Sequence, residues 1–157
     1  MPEKRAQINV VLVEPEIPPN TGNIARLCAA THSPLHLVHP LGFKTDDKSL
    51  KRAGLDYWKW VTVHHHKNLD EFFAAIEPQA ELILFSKKAK KLYTHAPYVN
   101  GCYLLFGKET QGLPEQILKT YSDRCFKMPI WGNVRSLNLS TAVGIAVYEG
   151  YRQILNW

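Results

Sequence analysis

Short apolar runs alternate along this chain with stretches whose apolar residues recur every three or four positions. Residues 8–13, Ile-Asn-Val-Val-Leu-Val, form a β-branched run of the kind buried on both faces of a parallel sheet. Similar runs at 35–38, 60–63, 82–85, 102–106 and 125–128 predict further strands. Between the first two, Ile24, Leu27, Cys28 and Thr31 keep helical spacing, and Asn20 stands where an N-cap is expected. Short helices are predicted at 46–53, stopped by Gly54, and at 68–76. Pro114 suits the first turn of another, and 140–155 reads as a long closing helix, capped by Asn138 or Ser140. Strands and helices that alternate in this way imply one α/β domain over residues 1–157, with a mostly parallel sheet and helices on both faces.

Nineteen Lys and Arg against 14 Asp and Glu leave a net charge of +5, which suits a polyanionic partner. Cys28, Cys102 and Cys125 make an odd, widely spaced set, so a disulfide framework is not expected and a reducing compartment is. The apolar run 8–13 is broken by Glu14 and Pro15. It is too short for a signal peptide core, and far short of the ~20 residues of a membrane span. The expectation is a cytoplasmic protein with no membrane association.

Familiar nucleotide signatures fail. Gly107 and Gly112 open a phosphate-loop pattern, but Leu113-Pro114 stand where it needs Lys and Ser or Thr. Gly-x-Gly-x-x-Gly occurs nowhere. His64-His65-His66 can converge at most two rings, since alternate residues of a strand point to opposite faces. A solvated strand end is expected there, with no metal; His32, His36, His39 and His95 are scattered along the sequence.

In parallel sheets, ligands gather beyond the carboxyl ends of the strands, and three loops there are unusual. The first leads into Asn20-Thr21-Gly22-Asn23-Ile24-Ala25-Arg26, with Asn20, Asn23 and Arg26 spaced by three along one helix face. A cation so near a helix N-terminus opposes the macrodipole unless an anion lies nearby, an RNA phosphate or Glu14 or Glu16. The second is Phe106-Gly107-Lys108-Glu109-Thr110-Gln111-Gly112-Leu113-Pro114. The third runs from Met128 to Thr141 and contains Ser136-Leu137-Asn138-Leu139-Ser140.

Together, Asn20-x-Gly22-Asn23-Ile24-x-Arg26, Phe106-Gly107-x-Glu109-x-x-Gly112-Leu113-Pro114 and Ser136-Leu137-Asn138-Leu139-Ser140 resemble the three motifs of the SPOUT superfamily of RNA methyltransferases, the α/β-knot enzymes. The resemblance spans nearly the whole chain. With residues 14–20 and 52–57, Arg-Ala-Gly-Leu-Asp-Tyr, it is most similar to the minimal branch, which 2′-O-methylates the wobble nucleotide, cytidine or uridine 34, of leucine tRNAs.

The resemblance implies a C-terminal trefoil knot holding S-adenosylmethionine, with S-adenosylhomocysteine as product. Cofactor contacts would come from Phe85, Ser86, Gly107, Met128, Ile130, Ser136 and Leu137. Catalytic roles would fall to Arg26, Asn23, Glu109 and Asn138. Lys51, Arg52, Lys87, Lys88, Lys90 and Lys91 are RNA-contact candidates, with a solvated surface as the plainer alternative. The closing helix is apolar nearly all round, so it needs cover on several sides. The resembled family forms homodimers there, which makes Tyr148 and Tyr151 interface candidates, with core burial as the rival.

Overall fold

The β-branched run near the N-terminus does form a strand, β1 (Asn9–Val13), at the middle of the sheet. The computed structural model describes residues 6–45, 48, 50, 52 and 55–157. After β1 come α1 (Pro18–Thr31), β2 (Leu35–Val38), β3 (Val63–His66), α2 (Leu69–Ala75), β4 (Leu82–Phe85), β5 (Lys91–Leu92), β6 (Tyr103–Phe106), α3 (Glu115–Thr120), β7 (Cys125–Lys127) and α4 (Leu139–Leu155). The seven strands lie in the order β3-β2-β1-β6-β4-β7-β5, every neighbouring pair parallel.

Alternate residues of β1 face opposite layers. Val10 and Leu12 join Ile24 and Cys28 of α1 and Val143, Ala146 and Val147 of α4 in one buried cluster. Val11 and Val13 join Phe72 of α2 and Ile117 of α3 in another. Both faces of the sheet are thus covered, which is why its central strands have no polar alternation.

Three expectations about local structure need correction, and a fourth lies mostly outside the described residues. Asn20 is not the N-cap of α1: Pro18 and Pro19 occupy the first two helical positions, Ile17 is the cap, and Asn20 lies buried in the first turn. Proline's fixed φ and missing N–H suit it to that entry. Residues 55–60 form a 3₁₀ turn rather than leading a strand, and β3 begins at Val63, in register with Leu35. Lys91 belongs to the two-residue strand β5 rather than to a loop. The predicted helix at 46–53 lies mostly outside the described residues; Lys48, Leu50 and Arg52 are helical, whereas Lys51 is among those outside.

The histidine run is a solvated strand end only in part: His64 and His65 are exposed, as are the separate His32 and His95, whereas His66 is buried. His36 on β2 stacks against His64 and His66 on β3, with ring centroids 4.6 and 5.2 Å apart. Its Nδ1 shares a 2.9 Å hydrogen bond with Nε2 of His66. Both rings are buried, edge-on to Phe72. On the opposite face His65 pairs with His39 at 2.9 Å. Among the described residues no three His, Cys, Asp or Glu converge as a metal site would require.

The closing helix settles the two tyrosines differently. Tyr151 is buried within its own chain, where its hydroxyl accepts from Ile8 N–H (3.1 Å), shares a bond with Ser33 Oγ (3.0 Å) and donates to the Thr31 carbonyl (3.2 Å). It is a core residue of its own chain. Tyr148 is 50% exposed, beside Ile145 at 37%. Gly150 packs so closely that a Cβ there would stand 2.7 Å from Ile8 Cδ1 and 2.9 Å from Tyr98 Cδ1.

Two outcomes are expected. Tyr151→Phe leaves the buried Ile8 N–H without its acceptor and should cost about 1–3 kcal/mol in denaturant unfolding. Burial holds His36 down to about 3, with His64 and His66 adding like-charge repulsion. An unfolded histidine binds its proton near pH 6.5, and native His36 refuses it until about pH 3. Stability should therefore fall as pH drops through that window, by about 1.4 kcal/mol per pH unit for this proton. In His36→Leu the pH–stability curve should flatten.

Candidate active site

Helix α1 starts without a side-chain cap of its own, and no acidic residue lies in its first turn. The carboxylate of Glu109, from the loop after the neighbouring strand β6, binds just ahead of the helix instead. Its Oε1 accepts from the Glu16 N–H and its Oε2 from the Ile17 N–H, both at 2.9 Å. An anion at this end of a helix also meets the positive pole of the macrodipole. Thr110 returns the link, donating its N–H (3.1 Å) and hydroxyl (2.7 Å) to Glu16 Oε1. These donors, with the Lys108 cation, hold the Glu16 carboxyl below its usual range.

Glu109 Oε2 also accepts from Asn20 Nδ2 at 3.1 Å. An ionised carboxylate only accepts, so the amide nitrogen of Asn20 must face it and Oδ1 must point away. That oxygen accepts from Asn138 Nδ2 at 3.0 Å. Asn138 Oδ1 in turn caps α4, accepting from Ser140 N–H (2.9 Å), Ser140 Oγ (2.6 Å) and Thr141 N–H (3.4 Å). One directional chain of hydrogen bonds thus runs from the N-terminus of α4 to that of α1. It ties together the three loops singled out in the sequence.

The loop carrying Glu109 is set by two glycines. A Cβ on Gly107 would sit 1.9 Å from the Gly112 carbonyl carbon and 2.1 Å from Leu113 N, inside the backbone. Gly112 has φ +71°, a left-handed conformation that a side chain disfavours, and its N–H closes the turn on the Lys108 carbonyl at 2.9 Å.

Around this turn lies a cleft of about 600 Å³ at the carboxyl ends of the adjacent strands β6, β4 and β7. All seven residues expected to touch a cofactor line it: Phe85, Ser86, Gly107, Met128, Ile130, Ser136 and Leu137. Glu109, Asn138, Lys87 and Lys88 line it too, as does Asn20. The rings of Phe85 and Phe106 stack in parallel at 4.7 Å along its wall. Five cations, Lys87, Lys88, Lys108, Lys127 and Arg135, stand against the single carboxylate of Glu109.

Other predicted residues fall elsewhere. Asn23 and Arg26 are exposed on α1 and do not line the cleft; six residues of helix place Arg26 about 9 Å along the axis from Asn20. The Arg26 guanidinium lies over the Tyr57 ring, 5.0 Å from its centroid. Lys88 pairs with Glu115. Lys91 donates to the Asp123 carbonyl and covers the Phe126 ring at 4.9 Å, so its charge is tied into β7. Lys90 and Arg52 are exposed. Sequence reasoning assigned Asn20 a capping role and missed its place at the centre of the chain; Pro18-Pro19 was the available signal that the helix had already begun. Glu16 was considered only as an anion for Arg26 and is instead clasped by Thr110; Thr110 was missed outright, because a reciprocal clasp between distant loops leaves no local pattern.

Comparison with known proteins gives this geometry a family. The chain matches the SpoU rRNA Methylase family over residues 7–148. It is 49% identical over 147 residues to a tRNA (cytidine(34)-2'-O)-methyltransferase of Saccharophagus degradans, covering 93% of this chain and 95% of that one. A solved structure described as concerning the 2-OH methylation of C/U34 on tRNA superposes with a TM-score of 0.93 at 45% identity, over 97% of this chain and 99% of that one. AviRb, a SpoU methyltransferase of Streptomyces viridochromogenes in complex with AdoMet, shares the fold at 22% identity, with a TM-score of 0.78 over 97% of this chain and 59% of that one. A parallel α/β sheet of this topology thus has its counterpart among RNA methylases. The chain belongs to the SpoU methylase family.

Gly107→Ala should force the Gly112 backbone aside and open the turn. Calorimetric titration with S-adenosylmethionine should then show loss of binding, while far-UV circular dichroism shows the sheet and helices retained.

Proposed function

We propose that this protein methylates the 2′-oxygen of the wobble ribose, cytidine or uridine 34, in leucine tRNAs, with S-adenosylmethionine as methyl donor and S-adenosylhomocysteine as product. The observation that carries the proposal is the Asn20 amide joining Glu109 to Asn138 at the rim of a cleft lined by every expected cofactor residue. The relatives named for this reaction at nearly half identity support it.

The residues fit the donor. The cleft has the volume of a small-molecule site, apolar walls from Phe85, Met128, Ile130 and Leu137, and polar groups at Ser86 and Ser136. S-adenosylmethionine, when bound there, supplies a methyl group activated on a sulfonium that departs as a neutral thioether. What is left to the protein is mainly positioning, worth about 7–11 kcal/mol in well-oriented systems. Glu109 and Asn138 hold the loops and orient the ribose. Arg26 binds the adjoining phosphate and stabilises the oxyanion forming at the 2′ position. It does not act as a free base, since a guanidinium is a donor with no acceptor and is not deprotonated in proteins. Lys87, Lys88, Lys90 and Arg52 meet further phosphates.

The same reading includes a homodimer, a threaded C-terminal segment and a cytoplasmic setting. The exposed stripe of α4 at Ile145 and Tyr148 supports the dimer. No helix among the described residues is long and apolar enough to cross a membrane. A second reading, transfer to another tRNA or rRNA position, draws on the family's rRNA description.

Incubation with methyl-labelled cofactor and total tRNA should place label on the 2′-oxygen of nucleotide 34 in leucine tRNA. Label elsewhere would support the second reading, and no transfer would leave only an RNA-binding module. Arg26→Ala should lower turnover by on the order of a hundredfold or more with cofactor affinity unchanged. Near-normal turnover would remove Arg26 from the mechanism.

A further inference from the structure

The 3₁₀ turn Leu55–Trp60 packs beside α1, the helix that carries Asn20, Asn23 and Arg26. Its aromatic residues divide in an uneven way. Trp58 is half-buried against the main core and anchors the turn. Tyr57 and Trp60 are left in solvent, 38% and 68% exposed. Each carries a cation on its ring: Arg26 stands 5.0 Å from the Tyr57 centroid and Lys59 5.4 Å from that of Trp60. Lys48 and Arg52, both exposed, precede the turn. Core packing accounts for Trp58 but not for two large rings kept outside and flanked by positive charge.

We infer that Tyr57 and Trp60 form a stacking platform for an unpaired base of the substrate RNA, next to the nucleotide that is methylated. The inference rests on the function proposed above and extends it to how the acceptor strand is held. Aromatic faces interleaved with cations are the chemistry of single-strand recognition: a base stacks on the ring while Lys59 and Arg26 meet the phosphates on either side. A base inside a duplex has both faces occupied, so the platform selects loop nucleotides. A second copy of the chain is the less suited occupant. A two-fold interface sets the same patch against itself, and here that would bring Arg26 and Lys59 toward their own copies.

The test measures binding of wild type, Trp60→Ala, Tyr57→Ala and Trp60→Phe to a leucine-tRNA anticodon stem–loop oligonucleotide and to a duplex of the same length. S-adenosylmethionine affinity and sedimentation mass are measured alongside, with wild-type methyl transfer to the stem–loop as control. Each alanine variant should weaken stem–loop binding roughly tenfold, with duplex binding, cofactor affinity and mass unchanged, and Trp60→Phe should restore most of the loss. Stem–loop affinity equal to wild type in Trp60→Ala overturns the platform, as does a loss that accompanies a change in mass. Failure of wild type to methylate the stem–loop counts against the proposed function instead, so the two failures are distinguishable.

Discussion

Two hydrogen bonds made by one buried amide, Asn20 to Glu109 and Asn138 to Asn20, hold the functional end of this protein together. The partners lie 89 and 118 residues from Asn20 in sequence. The chain has a direction because an acceptor-only carboxylate stands at one end and the donor-only N-terminus of α4 at the other. Each amide therefore has one permitted orientation. Asn20 is the buried member, and leaving its amide without a partner costs more than the bond itself contributes, so it holds the two flanking loops in place.

From that constraint the rest of the site follows. Glu109 reaches α1 only if Gly107 and Gly112 let the loop after β6 fold tightly back, and that turn becomes the lip of the cleft. The order β6-β4-β7 puts three successive strand ends side by side, although their loops are distant in sequence. Glu109 is committed to the Glu16 and Ile17 N–H groups just ahead of α1, which leaves the lysines and Arg135 to set the charge of the mouth. A polyanion meets a positive entrance over apolar walls.

Much of this was legible in the sequence, and the reasons for what was not are physical. Strands 35–38 and 82–85 were read to the residue because an apolar run buried on both faces has no competing pattern. The lining of the cleft came through resemblance, since cofactor contacts made by loops leave no side-chain fingerprint. Asn20 was misread because a cap and a buried bridge use the same residue type, and only its partners distinguish them. Residues 63–66 were displaced by three positions in the prediction because Trp60-Val61-Thr62-Val63 looks more strand-like than three histidines. The histidines become a strand when stacked on His36 beneath Phe72. Tyr151 could not be assigned to core or interface from helical spacing alone, as its hydroxyl partners come from Ile8, just before β1, and from the end of α1.

The central claim is that Asn20 and Glu109 act as one unit in shaping the cleft. A double-mutant cycle of Asn20→Ala and Glu109→Ala, read by the dissociation constant for S-adenosylmethionine, tests it most directly. The account predicts strong non-additivity: the double variant should bind little worse than the weaker single one. Losses that simply add would show that the two residues act independently and would contradict the account.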